Sequence, residues 1–162
     1  MITKKAKLES RYKKIIDRVR KDFPSLNNIK VKLKIQKLKI GSMRATRLYG
    51  GYLMIIDPLK YKTAKDNEIA GGIAHELMHF EDYSKKNWIE YFFSFLHYKL
   101  SKKFMRDSEI KTDKLTIQRG YAKELYANRA YRIKRNPLAE KGKTPYLFPE
   151  EIKSYAKKIG KW

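Results

Sequence analysis

From Ile29 to Ile40 the chain reads IKVKLKIQKLKI, apolar and basic residues largely in alternation. A period of two sends successive side chains to opposite faces, so this stretch is expected to be a strand with one face buried. Two further strands are expected close behind it. RATRLYG (Arg44 to Gly50) fits one, and GYLMIIDP (Gly51 to Pro58), a continuous apolar run closed by Asp-Pro, fits an interior strand. Before them, Leu8, Tyr12, Ile15, Ile16, Val19 and Phe23 recur with helical spacing from Ala6 to Phe23, and Pro24 ends the pattern. After them, helices are expected to about Tyr83 from a cap at Thr63 or Asp66, over Trp88 to Phe104, over Ser108 to Arg119 with Gly120 as stop, over Tyr121 to Arg135, and from Pro149 onward.

Strands first and helices afterwards indicate an α+β fold, with a small antiparallel or mixed sheet of about three strands packed on one helix and a helical C-terminal half. A chain of 162 residues without repeats or low-complexity linkers suits one domain over 1–162. Its parts would be an N-terminal helix (1–24), the sheet (29–58), a central helix (63–83), further helices (88–135) and a tail (136–162).

Composition narrows the chemistry. There is no cysteine, so disulfides and thiolate metal sites are excluded, and any transition-metal site must use histidine and carboxylate. No apolar run reaches the roughly eighteen residues a membrane span needs. The opening MITKKAKLESRYKK carries charges where a secretory leader has its apolar segment, so a soluble, cytoplasmic protein is expected. The 39 Lys and Arg against 17 Asp and Glu give a formal charge of +22, which suits nucleic acid, an anionic membrane surface or an acidic partner. The basic residues are spread along the whole chain without a nucleic-acid-binding motif, so a solvated basic surface is the simpler expectation. Lysine-rich usage without cysteine also fits adaptation to heat.

Two of the three histidines lie in AHELMHFEDY, residues 74 to 83. Spaced i and i+4 on a helix, His75 and His79 share a face, and their ring nitrogens can converge on one ion at about 2.0–2.1 Å. Glu76 follows the first of them and points to the side of that face, where it can reach a metal-bound water without ligating the ion. This is the geometry of the H-E-x-x-H signature, in which the metal acidifies water and the glutamate takes its proton. Chance placement of two imidazoles is the alternative. The apolar neighbours Ile73, Ala74, Leu77, Met78 and Phe80 and the preceding apolar strand argue against it.

A catalytic site of this kind needs a third protein ligand. An extension placing glycine at 82 and histidine at 85 is absent, because the chain has Asp82 and Lys85. His97 sits among aromatics and reads as a packed or partly exposed helix residue. Carboxylates remain, and SEIKTDKLTIQRG offers Glu109 and Asp113, again at i and i+4. Glu109 can complete the coordination, and Asp113 can accept the outer N–H of a ligating histidine. A solvated acidic face is the plainer reading of such a pair. Glu81 and Asp82 point away on the ligand helix, and Glu90 lacks an acidic partner one turn on.

H-E-x-x-H followed on a later helix by E-x-x-x-D resembles the gluzincins, zinc-dependent metallopeptidases. It is most similar to the small soluble minigluzincins and to the catalytic core of the CAAX-prenyl endopeptidase and heat-shock membrane protease families, over roughly residues 29 to 120. The resemblance implies a zincin-like fold, Zn2+ held by His75, His79 and Glu109, Glu76 as general base, and Asp113 orienting a histidine. It implies a peptide or protein substrate paired with the edge strand at Ala45, Thr46, Arg47 and Leu48, and a terminal segment beyond Pro137 able to plug the cleft. Tyr121, Tyr126 and Arg119 are candidates for steadying the oxyanion.

The stretch NWIEYFFSFLHYKL reads as a helix packed under the active-site helix, or else as an amphipathic surface for membrane or partner. The competing account of the whole chain is a basic nucleic-acid-binding or scaffold protein with a structural or inactive zinc site.

Overall fold

A computed structural model describes residues 4–136 and 144–162. Its elements run α1 (Lys4–Arg20), β1 (Val31–Ile35), β2 (Met43–Leu48), β3 (Gly51–Ile56), α2 (Asp66–Ser84), α3 (Trp88–Leu100), α4 (Lys102–Thr116), α5 (Ala122–Arg135) and α6 (Pro149–Lys158). The fold is α+β, with a three-stranded mixed sheet and a helical C-terminal half.

The apolar strand β3 lies at the centre of the sheet, parallel to β1 and antiparallel to β2, which leaves β2 as an edge. In β1 the side chains of Val31, Leu33 and Ile35 turn toward the core while Lys32 and Lys34 stay in water. This strand stops five residues short of the expected end at Ile40. Its last partner is Ile56, and the next residue of that neighbouring strand, the buried Asp57, takes over the chain beyond. Asp57 accepts the N–H groups of Leu38 at 2.9 Å and Leu59 at 3.0 Å, which folds both segments around one carboxylate.

Helix α2 is buried along most of its length. Ile69, Ile73, Leu77 and Phe80 join Tyr12, Ile15, Ile16 and Val19 of α1 and the inner residues of β3 in the main core. The helix is not capped by Thr63 or Asp66. Lys65 holds the cap position, its N–H donating to Glu68 Oε2 at 2.6 Å, while Asp66 pairs with Arg11. On its other side α2 meets α5 at backbone contact. A Cβ on Gly71 would stand 2.1 Å from the Glu124 carbonyl oxygen, so only glycine permits this approach.

Two helix boundaries differ from those expected. Ser101, in extended conformation, ends α3 at Leu100 and caps α4, which starts at Lys102, six residues before Ser108; its hydroxyl accepts the Phe104 N–H at 3.1 Å. A wide turn over Ile117–Tyr121 then joins α4 to α5, with Gly120 at φ +103°, the stop the sequence pointed to.

Helix α3 does not pack under α2, since none of its residues is buried. Of the tail, residues 137–143 lie outside the described residues and 144–148 form no regular structure. Helix α6 starts at Pro149 as expected, and a second core forms as Leu147, Ile152 and Ala156 close on Ile117, Ala122 and Leu125. Among the described residues no helix is long and apolar enough to cross a membrane.

Candidate metal centre

One turn of α2 sets the rings of His75 and His79 edge to face, with their Nε2 atoms 3.2 Å apart. Helix α4 brings Glu109 against both, its Oε2 3.0 Å from His75 Nε2 and 3.5 Å from His79 Nε2. Donors about 2.0–2.1 Å from a tetrahedral ion stand roughly 3.3–3.4 Å from one another. The three atoms therefore form a triangle of the size a small divalent ion requires, and the group can hold a metal ion. His75 and Glu109 are each only 3% exposed, which is unusual for such groups unless they are paired or ligating.

Asp113, one turn beyond Glu109, fixes the ring of His75. Its Oδ1 lies 2.8 Å from Nδ1, so the neutral ring keeps its proton on Nδ1, and Nε2 is turned toward His79 and Glu109. Asp113 itself is fully buried and accepts from Arg129 Nη2 at 2.7 Å and from the Leu147 N–H at 2.9 Å. The second oxygen of Glu109 accepts the hydroxyl of Tyr98, from α3.

The charges respond to this enclosure. Burial of His75 disfavours its charged form, but Asp113 and then Glu109 outweigh it, and the pKa rises from 6.5 to about 9. Burial raises the carboxyl groups of Glu109 and Asp113, yet their cationic partners prevail and hold both below the usual carboxylate range. Those partners are the two histidines for Glu109, and Arg129 with His75 for Asp113. Burial, and then the neighbouring Glu109, pushes the Tyr98 hydroxyl well above its usual value, so it remains a donor.

Glu76 lines a crevice of about 10 Å³, near the smallest that holds a water molecule, together with Ser42, His75, Arg132 and Tyr146. Among the described residues nothing hydrogen-bonds its carboxylate, which leaves both oxygens free to act on whatever enters.

No family model, curated protein or solved structure matches the chain.

The expected residues sort clearly. His75, His79, Glu109 and Asp113 meet in one cluster, with Glu76 at its side. His97 lies elsewhere, its exposed ring stacked 4.2 Å from that of Phe104. Glu81 pairs with Arg119 at 2.6 Å, Asp82 with Lys86 at 2.5 Å, and Glu90 caps α3. The three oxyanion candidates are engaged away from the cluster. Arg119 holds Glu81, Tyr121 donates to Asp22, and Tyr126 packs on Trp162. Ala45, Thr46, Arg47 and Leu48 are half-buried on the edge strand β2, but Arg47 is committed to structure. Its N–H donates to the Tyr91 hydroxyl at 3.4 Å and its guanidinium to the carbonyls of Tyr83 and Lys86.

Four contributors were not read from the sequence: Tyr98, Arg129, Tyr146 and the Leu147 N–H. The Tyr146 ring stands edge-on to His75, centroids 5.6 Å apart, with the guanidinium groups of Arg129 and Arg132 over it at 4.2 and 5.0 Å. No motif spacing marks any of these, because they come from α3, α5 and the tail.

Proposed function

We propose that this protein is a zinc-dependent metalloendopeptidase, zincin-like and of the gluzincin kind closest to the minigluzincins, held latent by its own C-terminal segment. The observation that carries the reading is the donor triangle of His75, His79 and Glu109 beside an unengaged Glu76. His75, His79 and Glu109 would hold the ion. Two imidazoles and one carboxylate suit zinc and leave a position for water. Bound there, zinc supplies a Lewis acid that polarises a peptide carbonyl and acidifies water.

The rest is done by the chain. Asp113 keeps the proton of His75 on Nδ1 and so leaves Nε2 as the ligating nitrogen. Tyr98 steadies Glu109 through the oxygen that faces away from the histidines. Glu76 accepts the proton of the attacking water and delivers it to the leaving amine. A peptide would add to the sheet along β2 at Ala45 to Leu48, displacing the Tyr91 hydroxyl from the Arg47 N–H. Latency is supported by Tyr146, which lines the crevice beside His75 and Glu76, and by the bond from Leu147 to Asp113.

The test is zinc content together with cleavage of an unfolded protein, measured in wild type and in Tyr146→Ala. Zinc near one per chain is expected, lost in His75→Ala and Glu109→Ala and kept in Glu76→Ala. Cleavage should rise in Tyr146→Ala and vanish when Glu76→Ala is added. Undiminished cleavage by that double variant would refute the mechanism. The account as a basic nucleic-acid-binding protein predicts instead an affinity for nucleic acid that falls steeply with salt.

A further inference from the structure

Helix α3 is built inside out. The residues it turns toward the fold are Tyr91, Ser94 and Tyr98, at i, i+3 and i+7, each carrying a hydroxyl. Tyr91 receives the Arg47 N–H and Tyr98 donates to Glu109. The residues it turns to solvent are apolar. Ile89, Phe92, Phe93, Leu96 and Leu100 are between 40% and 76% exposed, and Trp88 and Phe95 extend the same surface. A surface helix of a water-soluble domain shows the opposite pattern. The patch reaches toward the β2–β3 turn, where Trp88 shares a crevice of about 270 Å³ with Leu48 and Gly50, the neighbours of the almost fully exposed Tyr49.

Cations frame the patch. Between residues 85 and 106 there are six basic residues, Lys85, Lys86, Lys99, Lys102, Lys103 and Arg106, against one acid, Glu90. They cluster at the two ends of the helix. At the first end Lys86 is paired with Asp82 and Lys85 stands 4.0 Å from Glu81, so the excess charge lies at the second, with Lys99, Lys102, Lys103 and Arg106, and Glu90 is bound to the Asn87 N–H as a cap. An apolar protein partner is not selected by a cluster of lysines, and a second copy of this chain would bring its own lysines against these. Aromatic rings over an apolar strip, with a run of cations at its C-terminal end and +22 overall, match an anionic lipid surface instead. We propose that α3 is an interfacial anchor. Its outer face sinks into the headgroup and acyl boundary of an anionic bilayer, and the flanking lysines bind the lipid headgroups. This does not depend on the peptidase reading.

The test is co-sedimentation of the full chain with vesicles of phosphatidylcholine alone or with about one-third phosphatidylserine. Binding is expected to the anionic vesicles, weakening as salt rises. Each basic residue near such a surface is worth roughly fivefold, so Lys102→Gln with Lys103→Gln should lower the partition coefficient about 30-fold. Phe92→Ser with Phe93→Ser should lower it roughly tenfold or more. All four side chains are exposed, and unchanged thermal melts will verify that the variants fold. Equal binding to neutral and anionic vesicles, or none to either, would overturn the proposal. So would a dimer in solution that dissociates in the phenylalanine variant while vesicles are ignored, since α3 would then be an interface between copies.

Discussion

Asp113→Asn exchanges one oxygen for an amide and removes one charge, and the partners of Asp113 tell what that costs. Three donors converge on the carboxylate: His75 Nδ1, Arg129 Nη2 and the Leu147 N–H. Asparagine keeps one acceptor, so at least one buried donor faces an NH2 group, at about 1–3 kcal/mol. Arg129, 5% exposed, also loses its counter-charge, and removing one partner of a buried pair costs about 3–5 kcal/mol. The two penalties overlap, so a total near the second figure is expected. For a chain of this size 1 kcal/mol moves the melting midpoint by about 2–4 °C, so the midpoint should fall by about 6–20 °C. Zinc affinity should fall about 10- to 100-fold, because the tautomer of His75 is no longer held. Thermal melts by circular dichroism and zinc titration by calorimetry measure the two effects. The decisive comparison adds Arg129→Met, which removes the orphaned cation and should restore part of the lost stability. A midpoint shift under about 3 °C, or a double variant less stable than Asp113→Asn alone, would refute the buried-charge account.

Three further outcomes are expected. At neutral pH the metal-free protein carries a proton on His75 that a bound metal ion would expel, so zinc binding should release about one proton and its affinity should climb with pH until about 9. Because this pKa is raised above 6.5, its stabilisation of the metal-free fold is complete below pH 6.5 and is lost as pH rises through 9. Calorimetry in buffers of different ionisation enthalpy counts the proton, and a count of zero contradicts the assignment. Gly71→Ala should cost about 3 kcal/mol or more, since the new methyl meets the backbone of Glu124. Gly72→Ala should cost less, because its methyl meets the side-chain atoms of Tyr61 and Asn128 at 2.9 and 3.0 Å, and equal melting midpoints would show that the α2–α5 contact can give. Tyr98→Phe should weaken zinc binding about tenfold in competition with a chelator, and an unchanged affinity would mean that Glu109 needs no support from α3.

What the sequence disclosed was whatever is periodic. The alternation in β1, the apolar run of β3 and the i, i+4 pairs His75/His79 and Glu109/Asp113 each need only neighbours along one element, and each is where spacing put it. The residues it did not disclose depend on how elements cross. Arg129 reaches Asp113 only because Gly71 lets α5 touch α2, and Tyr146 reaches His75 only because Leu147 is anchored in the second core. Ser101 is a single serine between two helical patterns, and by spacing it fits either. The inversion of α3 was legible as composition, since its aromatics are plain to see. The face turned inward carries the tyrosine hydroxyls that meet Arg47 and Glu109, and no rule of periodicity supplies that.

Charge gives the centre and α3 opposite responses to salt. Around the metal-free cluster, the anions Glu76, Glu109 and Asp113 are matched by Arg129, Arg132 and protonated His75. An approaching dication therefore feels mainly the rest of a +22 chain and is repelled before it reaches the donors. The reach of that field is about 30 Å at 0.01 M ionic strength and about 10 Å at 0.1 M. Raising ionic strength over this range, with a weakly coordinating anion such as perchlorate, should speed zinc association while it weakens attachment to anionic vesicles. Stopped-flow exchange from a fluorescent indicator measures the first and co-sedimentation the second. If zinc association slows with salt, the cluster carries net negative charge and His75 is not protonated. The proton count would then have to fall as well, so the two measurements check each other.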